Sequence, residues 1–202
     1  VRFASLVIEE TIIVQNEDKF ETCKLKGVEL PYFDSTYLDT LLVEGLSDLE
    51  YEGVNYCVPG AVLQSRLGFT SDPRFQNEVT INGMLRDKKI SMTSQPFNQQ
   101  KVKVGGVYMT GIYANDAKYV FVSRGFAEKL LEFNQEATGI DVFTKNLSNR
   151  ELKILQSLIK ELIGEKFKVE TREEQHALIF SATKNEKIAV FIILCFVFEV
   201  FI

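Results

Sequence analysis

The sequence predicts an α+β fold, and three observations carry the prediction. Several runs are rich in β-branched and aromatic residues in an alternating pattern, which is typical of strands. Short segments between them begin and end at capping or breaking residues, which is typical of helices. The last third contains a complete strand–helix–strand pattern. With 202 residues, 46% of them apolar and 25% charged, the chain can bury a substantial core.

Up to residue 134, predicted strands alternate with short helices. The first two strands flank the turn-like tripeptide Asn16-Glu17-Asp18, which predicts a hairpin. The predicted strands are SLVIEETIIVQ, KFETCKLKGVE, LEYEGVNYCV, EVTINGML, QKVKVGGVYMTG and AKYVFVS. The predicted helices are DSTYLDTLLVEG, PGAVLQSRLG and SRGFAEKLLEFN, the first capped by Asp34 or Ser35 and the second starting at Pro59. The polar stretch RDKKISMTSQPFNQ predicts a loop or an exposed hairpin.

The last third has the clearest pattern, over residues 137–171. The segments TGIDVFTKN and KFKVET predict strands, and LSNRELKILQSLIKELIG between them predicts a helix. Ser148 and Glu151 have the spacing of a capping box, and Gly164 ends the helix. The apolar stripe that we expect to be buried consists of Leu152, Leu155, Ile159 and Leu162. The two strands should lie in one sheet, with the helix across one face.

A second capping box, at Thr171 and Glu174, predicts a new helix from about Arg172. No proline or glycine interrupts the chain after it, so the helix is expected to continue into residues 188–202, which are apolar except for Glu199. This run is shorter than the ~20 apolar residues that cross a bilayer, and a carboxylate at membrane depth costs about 3 kcal/mol. The run predicts the start of a transmembrane helix, or else an apolar tail that packs into a core.

Composition and motifs argue against several classes of function. A net charge of −5 argues against a nucleic-acid-binding protein, which normally has a basic face. The sole histidine, His176, lies next to acidic residues early in the last predicted helix, where we expect it to be solvated. The sequence has no G-x-S-x-G motif, no phosphate loop and no cluster with metal-ligand spacing. We therefore predict no catalytic residue, no cofactor and no metal site.

The cysteines and the N-terminus bear on the compartment and on processing. Cys23, Cys57 and Cys195 are widely scattered and form no C-x-x-C motif, so neither a zinc site nor a redox pair is predicted. We expect three small apolar side chains, and a Cys23–Cys57 disulfide in an oxidising compartment stays open as the alternative. The chain begins with Val1 and no signal stretch follows, so we expect a fragment or a processed product.

Five stretches occur in an order that points to one protein family. VIEETIIV…FETCKLKGVE is a hairpin that leads to a turn at Lys26-Gly27-Val28-Glu29, and VPGAVLQSRLGF is a short helix. KVKVGGVYMTGIYANDAKYVFVSRGFAEKLL contains a strand, a glycine, an acidic residue, a second strand and a helix. TGIDVFTKN precedes a long helix, and EEQHALIFSATKNEKIAVFIILCFV leads into the apolar run. Together they resemble the extracytoplasmic domain of MacB/FtsX-type ABC transporter permeases, particularly the lipoprotein-releasing LolC/LolE type.

The resemblance implies a non-catalytic domain on the periplasmic side of the bacterial inner membrane, inserted between the first two transmembrane helices of a permease. Such a domain transmits ATP-driven movement and engages cargo or a periplasmic partner, here in lipoprotein release. The implied partners are a cytoplasmic ATPase, a second permease copy or homologue, and the membrane through flanking helices. The implied architecture is a Porter-like lobe of residues 1–42 and 116–187, which contains both chain ends, and an inserted, β-rich Sabre-like lobe of residues 43–115.

The resemblance also implies a docking site. In the LolC type, a protruding hairpin and a neighbouring surface pad, just before the strand that leads to the family glycine, grip a periplasmic lipoprotein carrier. By chain order this place corresponds to RDKKISMTSQPFNQQ, and the candidate partner-binding residues are Ile90, Met92, Pro96, Phe97, Gln99 and Gln100. Pro96 would limit the freedom of the free loop and so lower the entropy lost on binding. The alternative is a loop that folds back onto its own domain.

Two other functions stay open from the residues alone. A ligand-sensing extracytoplasmic domain of a membrane receptor would also lie beside a transmembrane helix. A soluble structural or interaction protein would instead use the apolar tail as core. A neighbouring ATPase gene would favour transport, and a neighbouring kinase gene would favour sensing.

Overall fold

A computed structural model describes residues 1–36, 38–72, 78–85, 97–145, 147–175, 190–191 and 193–194. It combines one large sheet with several helices, so the predicted α+β class is confirmed. The chain divides into two compact units, unit 1 from Val1 to Thr144 and unit 2 from Lys145 to Ile202, which are described separately. The division into a Porter-like and a Sabre-like lobe, with the boundaries given above, stays a prediction.

Unit 1 contains ten strands and four short helices among its described residues. The strands are β1 Phe3–Asn16, β2 Lys19–Val28, β3 Leu42–Gly45, β4 Glu50–Tyr51, β5 Val54–Pro59, β6 Glu78–Met84, β7 Phe97–Val104, β8 Gly106–Tyr108, β9 Tyr119–Ser123 and β10 Gly139–Phe143. The helices are α1 Tyr32–Thr36, α2 Ala61–Leu67, α3 Tyr113–Asp116 and α4 Arg124–Leu131, with a 3₁₀ turn at Leu38–Leu41.

The large sheet closes on itself through β1. Its strand order is β10-β1-β2-β9-β5-β7-β6, and β6, the last strand, pairs back with β1. On one edge of β1, β2 pairs along Ile8–Asn16. Along the same strand, β10 pairs with Phe3–Val7 and β6 with Ile12–Gln15. The predicted hairpin of β1 and β2 is confirmed, and its pairing continues to Asn16 opposite Lys19.

Two apolar clusters cover opposite faces of this sheet. Neighbouring residues of a strand point to opposite faces. Val120 and Val122 of β9 therefore belong to one cluster, called the first cluster below, and Phe121 belongs to the other, called the second cluster. Helices α2 and α4 cover the first cluster, and α1 covers the second. The ring of Phe121 meets the rings of Phe33 and Tyr108 edge-on, each with centroids 5.3 Å apart.

The predicted helix DSTYLDTLLVEG is wrong in its bounds. The helix α1 begins at Tyr32, before the expected caps, because Tyr32 and Phe33 are buried in the second cluster and hold the first turn there. The end of the predicted helix is extended instead, since β3 pairs with β8. The segment LEYEGVNYCV, predicted as one strand, is a hairpin of β4 and β5, because Glu52 and Gly53 both adopt positive φ, 49° and 76°, and turn the chain.

Two boundaries near the other motifs also differ from prediction. Pro59 was expected to start α2, but it ends β5, and Gly60 is the N-cap of the helix. The C-terminal end of α2 is as predicted, with Gly68 as its C-cap. The predicted turn at Lys26-Gly27-Val28-Glu29 is largely strand. Lys26, Gly27 and Val28 stay in β2 because they pair in parallel with β9.

Unit 2 contains α5, Asn149–Ile163, and α6, Arg172–Gln175. The capping box of α5 is confirmed: Ser148 N donates to Glu151 Oε2 at 2.8 Å, and Glu151 N donates to Ser148 Oγ at 3.4 Å. The second capping box is confirmed as well, with Thr171 N donating to Glu174 Oε2 at 2.9 Å.

The predicted strand KFKVET is wrong, and the expected buried stripe of α5 is only half-buried. Residues 166–171 are not a strand; instead the side-chain amide of Gln156 donates to the carbonyl of Val169 at 2.9 Å and so ties this segment to α5. No residue of α5 is fully buried. In the expected stripe, Leu152, Leu155 and Ile159 are half-buried and Leu162 is 84% exposed. Because residues 166–171 do not form a strand, the predicted strand–helix–strand unit is incomplete among the described residues.

Helix α6 was predicted to continue into the apolar run through residues 176–189, which lie outside the described residues. Of the run itself, Val190, Phe191, Ile193 and Leu194 are helical and exposed. No helix in the part of the chain that the structure describes is both long and apolar enough to span a membrane.

Gly27 offers a test of how α4 packs on β2. A Cβ atom at Gly27 would lie 2.5 Å from the Cβ of Ala127 and 3.5 Å from that of Ile8. We expect Gly27→Ala to lower the free energy of unfolding by about 2 kcal/mol, measured by urea denaturation followed by circular dichroism. Adding Ala127→Gly removes the clashing methyl group and should recover part of this loss.

Gly125→Ala is the matched control for the packing test. A Cβ atom at Gly125 would meet nothing within 4 Å, and the residue lies on α4, so the substitution should be neutral or stabilising. Equal destabilisation by Gly27→Ala with and without Ala127→Gly would show that the Gly27–Ala127 contact does not set the packing distance.

Candidate interaction surface

The candidate residues that the structure describes lie on the β6–β7 hairpin. Strand β6 pairs with β7 from Glu78 opposite Lys103 to Met84 opposite Phe97. Phe97, Gln99 and Gln100 are therefore residues of β7. Gln100 was expected to begin this strand, and the strand also includes Phe97 and Gln99, which were placed in a loop or an exposed hairpin. Their backbones are held by pairing with β6, a partner that lies before the loop in sequence. Ile90, Met92 and Pro96 lie outside the described residues.

The two faces of this hairpin differ in character. Met84 and Phe97 are directly opposite each other and are 56% and 46% exposed, so they form an apolar pair on the outer face. Gln99 lies opposite Asn82 on the same face. Gln100 lies opposite the buried Ile81 and points to the other face. Gln99 and Gln100, which the sequence analysis grouped, therefore point to opposite faces of the hairpin.

The root of the hairpin is fixed on the body of unit 1. A Cβ atom at Gly83 would lie 2.8 Å from a methyl carbon of Leu131, so the strand passes directly over α4. The side-chain amide of Asn98 donates to the carbonyl of Lys129 at 3.3 Å, and that of Asn82 donates to the carbonyl of Ile13 at 3.4 Å. These contacts hold the Met84–Phe97 pair at a defined position.

A polar cluster that the sequence analysis did not single out joins three elements. Asp141 of β10 accepts a hydrogen bond from Tyr32 Oη of α1 at 2.7 Å and pairs with Lys26 Nζ of β2 at 2.6 Å. Burial, and then the Asp141 carboxylate, raise the pKa of Tyr32, so its phenol stays a donor. We call these three residues the Asp141 clamp.

The pattern of β10 gave a misleading signal for this cluster. In GIDVF, alternation favours Ile140 and Val142 as the buried side. The structure has the opposite arrangement, with Ile140 63% and Val142 41% exposed, while Asp141 and Phe143 face the second cluster. The signal that could have found the clamp is an aspartate between two β-branched residues, combined with a lysine and a tyrosine elsewhere in the chain that can bind its carboxylate.

A second carboxylate, Asp116, closes the loop between β8 and α3. It is only 3% exposed and accepts hydrogen bonds from Thr110 N at 2.8 Å, Thr110 Oγ1 at 2.7 Å and Gly111 N at 3.2 Å. Gly60 lies against the backbone of Asp116, where any Cβ atom would collide with its carbonyl oxygen. The motif residues of two separate stretches therefore meet here, in a structural contact whose polar atoms are satisfied.

The described residues offer no reactive thiol. Cys23 and Cys57 are buried free cysteines, so the structure contains no Cys23–Cys57 disulfide. Burial raises the pKa of Cys23 to about 12 and also raises the pKa of Cys57, so both stay protonated at neutral pH. Among the residues that the structure describes, no group of three or more His, Cys, Asp or Glu side chains is placed to hold a metal ion. His176 lies outside them.

Comparisons with known proteins give structural matches only. No protein-family model and no curated protein matches the chain. Matching solved structures include the periplasmic region of MacB from Actinobacillus actinomycetemcomitans, at 14% identity over 80% of this chain and 67% of that one, with a TM-score of 0.45. They also include the extracellular domain of the noncanonic ABC-type transporter YknZ from Gram-positive bacteria, at 14% identity over 81% and 77%, with a TM-score of 0.49. Function therefore has to be argued from this chain's own residues.

Asp116 provides a stability test. Replacing it with Ala leaves the backbone N–H groups of Thr110 and Gly111 without their acceptor, so we expect the free energy of unfolding to fall by about 3 kcal/mol. Urea denaturation measures the loss, and the exposed Asp48→Ala is the control. A loss within about 0.5 kcal/mol, the range of ordinary surface substitutions, would mean that the loop holds without Asp116.

Proposed function

We propose that this chain is a non-catalytic extracytoplasmic domain of an ABC transporter permease that takes part in lipoprotein release. In this role it transmits ATP-driven movement and docks a periplasmic lipoprotein carrier through the β6–β7 hairpin. The ordered set of sequence stretches supports the family. The Met84–Phe97 pair, the exposed last described pair of the anchored β6–β7 strands, is the observation that carries the docking role.

The chemistry of this pair suits a protein partner. A methionine adapts its shape to a surface, and a phenylalanine supplies a large apolar contact, so the two form an anchor of the kind found at interface centres. Asn82 and Gln99, the next pair on the same face, can donate and accept hydrogen bonds at its rim. Because the hairpin root is held by Asn98 and Gly83, docking orders few additional groups.

The remaining features of the proposal follow from the same assignment. The domain lies on the periplasmic side of a bacterial inner membrane, and helices that flank it hold it there. Its partners are a cytoplasmic ATPase and a second permease copy or homologue. Residues 1–42 and 116–187 would form the Porter-like lobe and residues 43–115 the Sabre-like lobe.

The docking role predicts the behaviour of a charged double variant. Met84→Asp combined with Phe97→Asp places two carboxylates where the carrier would bury apolar surface, so capture of the purified cognate carrier should fall by about tenfold or more. A pull-down with the wild-type domain as reference measures it, and circular dichroism checks that the fold is intact.

A matched control uses the same residue types elsewhere on the surface. Phe20 and Met109 are also exposed, and Phe20→Asp with Met109→Asp should leave capture of the carrier unchanged. The hairpin is not the docking site if the Met84/Phe97 variant captures as much carrier as wild type. The same conclusion holds if the control loses capture equally, or if the folded wild-type domain captures none.

The non-catalytic assignment predicts that His176→Ala has no effect on function. In the full-length permease, ATP-dependent release of cargo should match wild type, because the sequence predicts a solvated histidine, and surface substitutions change stability little. The assay is cargo release from membranes, with the melting temperature of the domain as the check on folding. Lost release at unchanged stability would reopen the case for an enzyme.

A further inference from the structure

Unit 1 has both of its chain connections at one place. β1 begins and β10 ends side by side, with Phe3 opposite Phe143 and Arg2 N donating to Phe143 O at 2.7 Å. The two phenylalanine rings stack with their centroids 6.0 Å apart. Any displacement of the chain before β1 or after Thr144 therefore reaches unit 1 at this pair of strands.

β10 is the weaker member of the pair. Among the described strands it pairs with β1 alone, whereas β1 is held by β2 and β6 as well. A load on the chain after Thr144 acts at the Phe143 end of β10. Because the strands are antiparallel, such a load separates the residue pairs one after another from that end, and each step breaks only a few backbone hydrogen bonds.

The Asp141 clamp lies where this opening would start. Asp141 is opposite Ser5, two residues from the loaded end, and it is bound by Tyr32 and Lys26, neither of which belongs to β1. Tyr32 also meets the ring of Phe143 edge-on, with centroids 5.5 Å apart, and packs against Phe121 of β9 at 6.1 Å. The clamp thus ties β10 to α1, β2 and the second apolar cluster by contacts outside the backbone ladder.

We propose that the Asp141 clamp is a mechanical lock that keeps β10 on β1 under load, so that displacement of either chain connection moves unit 1 as one body. The inference rests on the proposed function, because the load would come from the membrane helices of a permease. Lys26, Tyr32 and Asp141 are positioning residues in this role.

Hydrogen exchange of the purified chain tests the lock itself. In Asp141→Ala, the amides of residues 139–143 should exchange about tenfold faster or more, the effect expected from losing hydrogen bonds to a charged group. Those of β5 and β9 should change by less than about twofold, because exchange reports local opening. Tyr32→Phe, which keeps the ring and removes one donor, should give a smaller increase, and the exposed Asp48→Ala should give none. Unchanged exchange of β10 in Asp141→Ala, or equal acceleration of all slow amides, overturns the inference.

A cross-strand disulfide tests coupling in the full-length permease with its ATPase. Asp141→Ala should retain ATP hydrolysis but lose cargo release. Ala4 lies directly opposite Val142, at a separation that suits a disulfide, so Ala4→Cys with Val142→Cys should restore release in the oxidised protein and lose it on reduction. Full release in Asp141→Ala overturns the mechanical role. If wild-type full-length protein shows no ATP-driven release, the proposed function is wrong, and the exchange of β10 still decides the lock.

Discussion

The fold of unit 1 depends on one long strand that uses both of its backbone edges. β1 runs for 14 residues. It pairs with β2 along Ile8–Asn16, with β6 along Ile12–Gln15 on the other edge, and with β10 along Phe3–Val7. Because β6 is the last strand of the sheet, this pairing closes the sheet. Val7 belongs to the second cluster and Ile8 to the first, so a single strand stabilises both cores.

Closure of the sheet sets how near the helices can come. Helix α4 lies on β2 and β6 at Gly27 and Gly83, where a side chain would collide with Ala127 or Leu131. These glycines are needed because two backbones approach each other closely, and neither of them has positive φ. The same close packing holds β6 at Gly83, and this gives the neighbouring exposed Met84–Phe97 pair a fixed position.

Two carboxylates organise the polar part of the molecule. Asp116 satisfies the backbone of its own loop, and its short sequence separation from Thr110 makes it a local device. Asp141 joins parts of the chain that are far apart in sequence, because its partners Tyr32 and Lys26 lie near the beginning of unit 1. A half-buried carboxylate with two strong partners is costly to leave unpaired, which is why it specifies where β10 lies.

The sequence by itself determined the features whose causes lie within a few residues: the α+β class, the β1–β2 hairpin, both capping boxes and the glycine that ends α2. Turns and caps act locally, so composition and spacing reveal them. Tertiary structure alone decided the return of β6 to β1, the inward side of β10, the opposite faces of Gln99 and Gln100, and the loss of the strand predicted at 166–171. Each of these depends on a partner distant in sequence, and alternation cannot say which face a distant partner will cover.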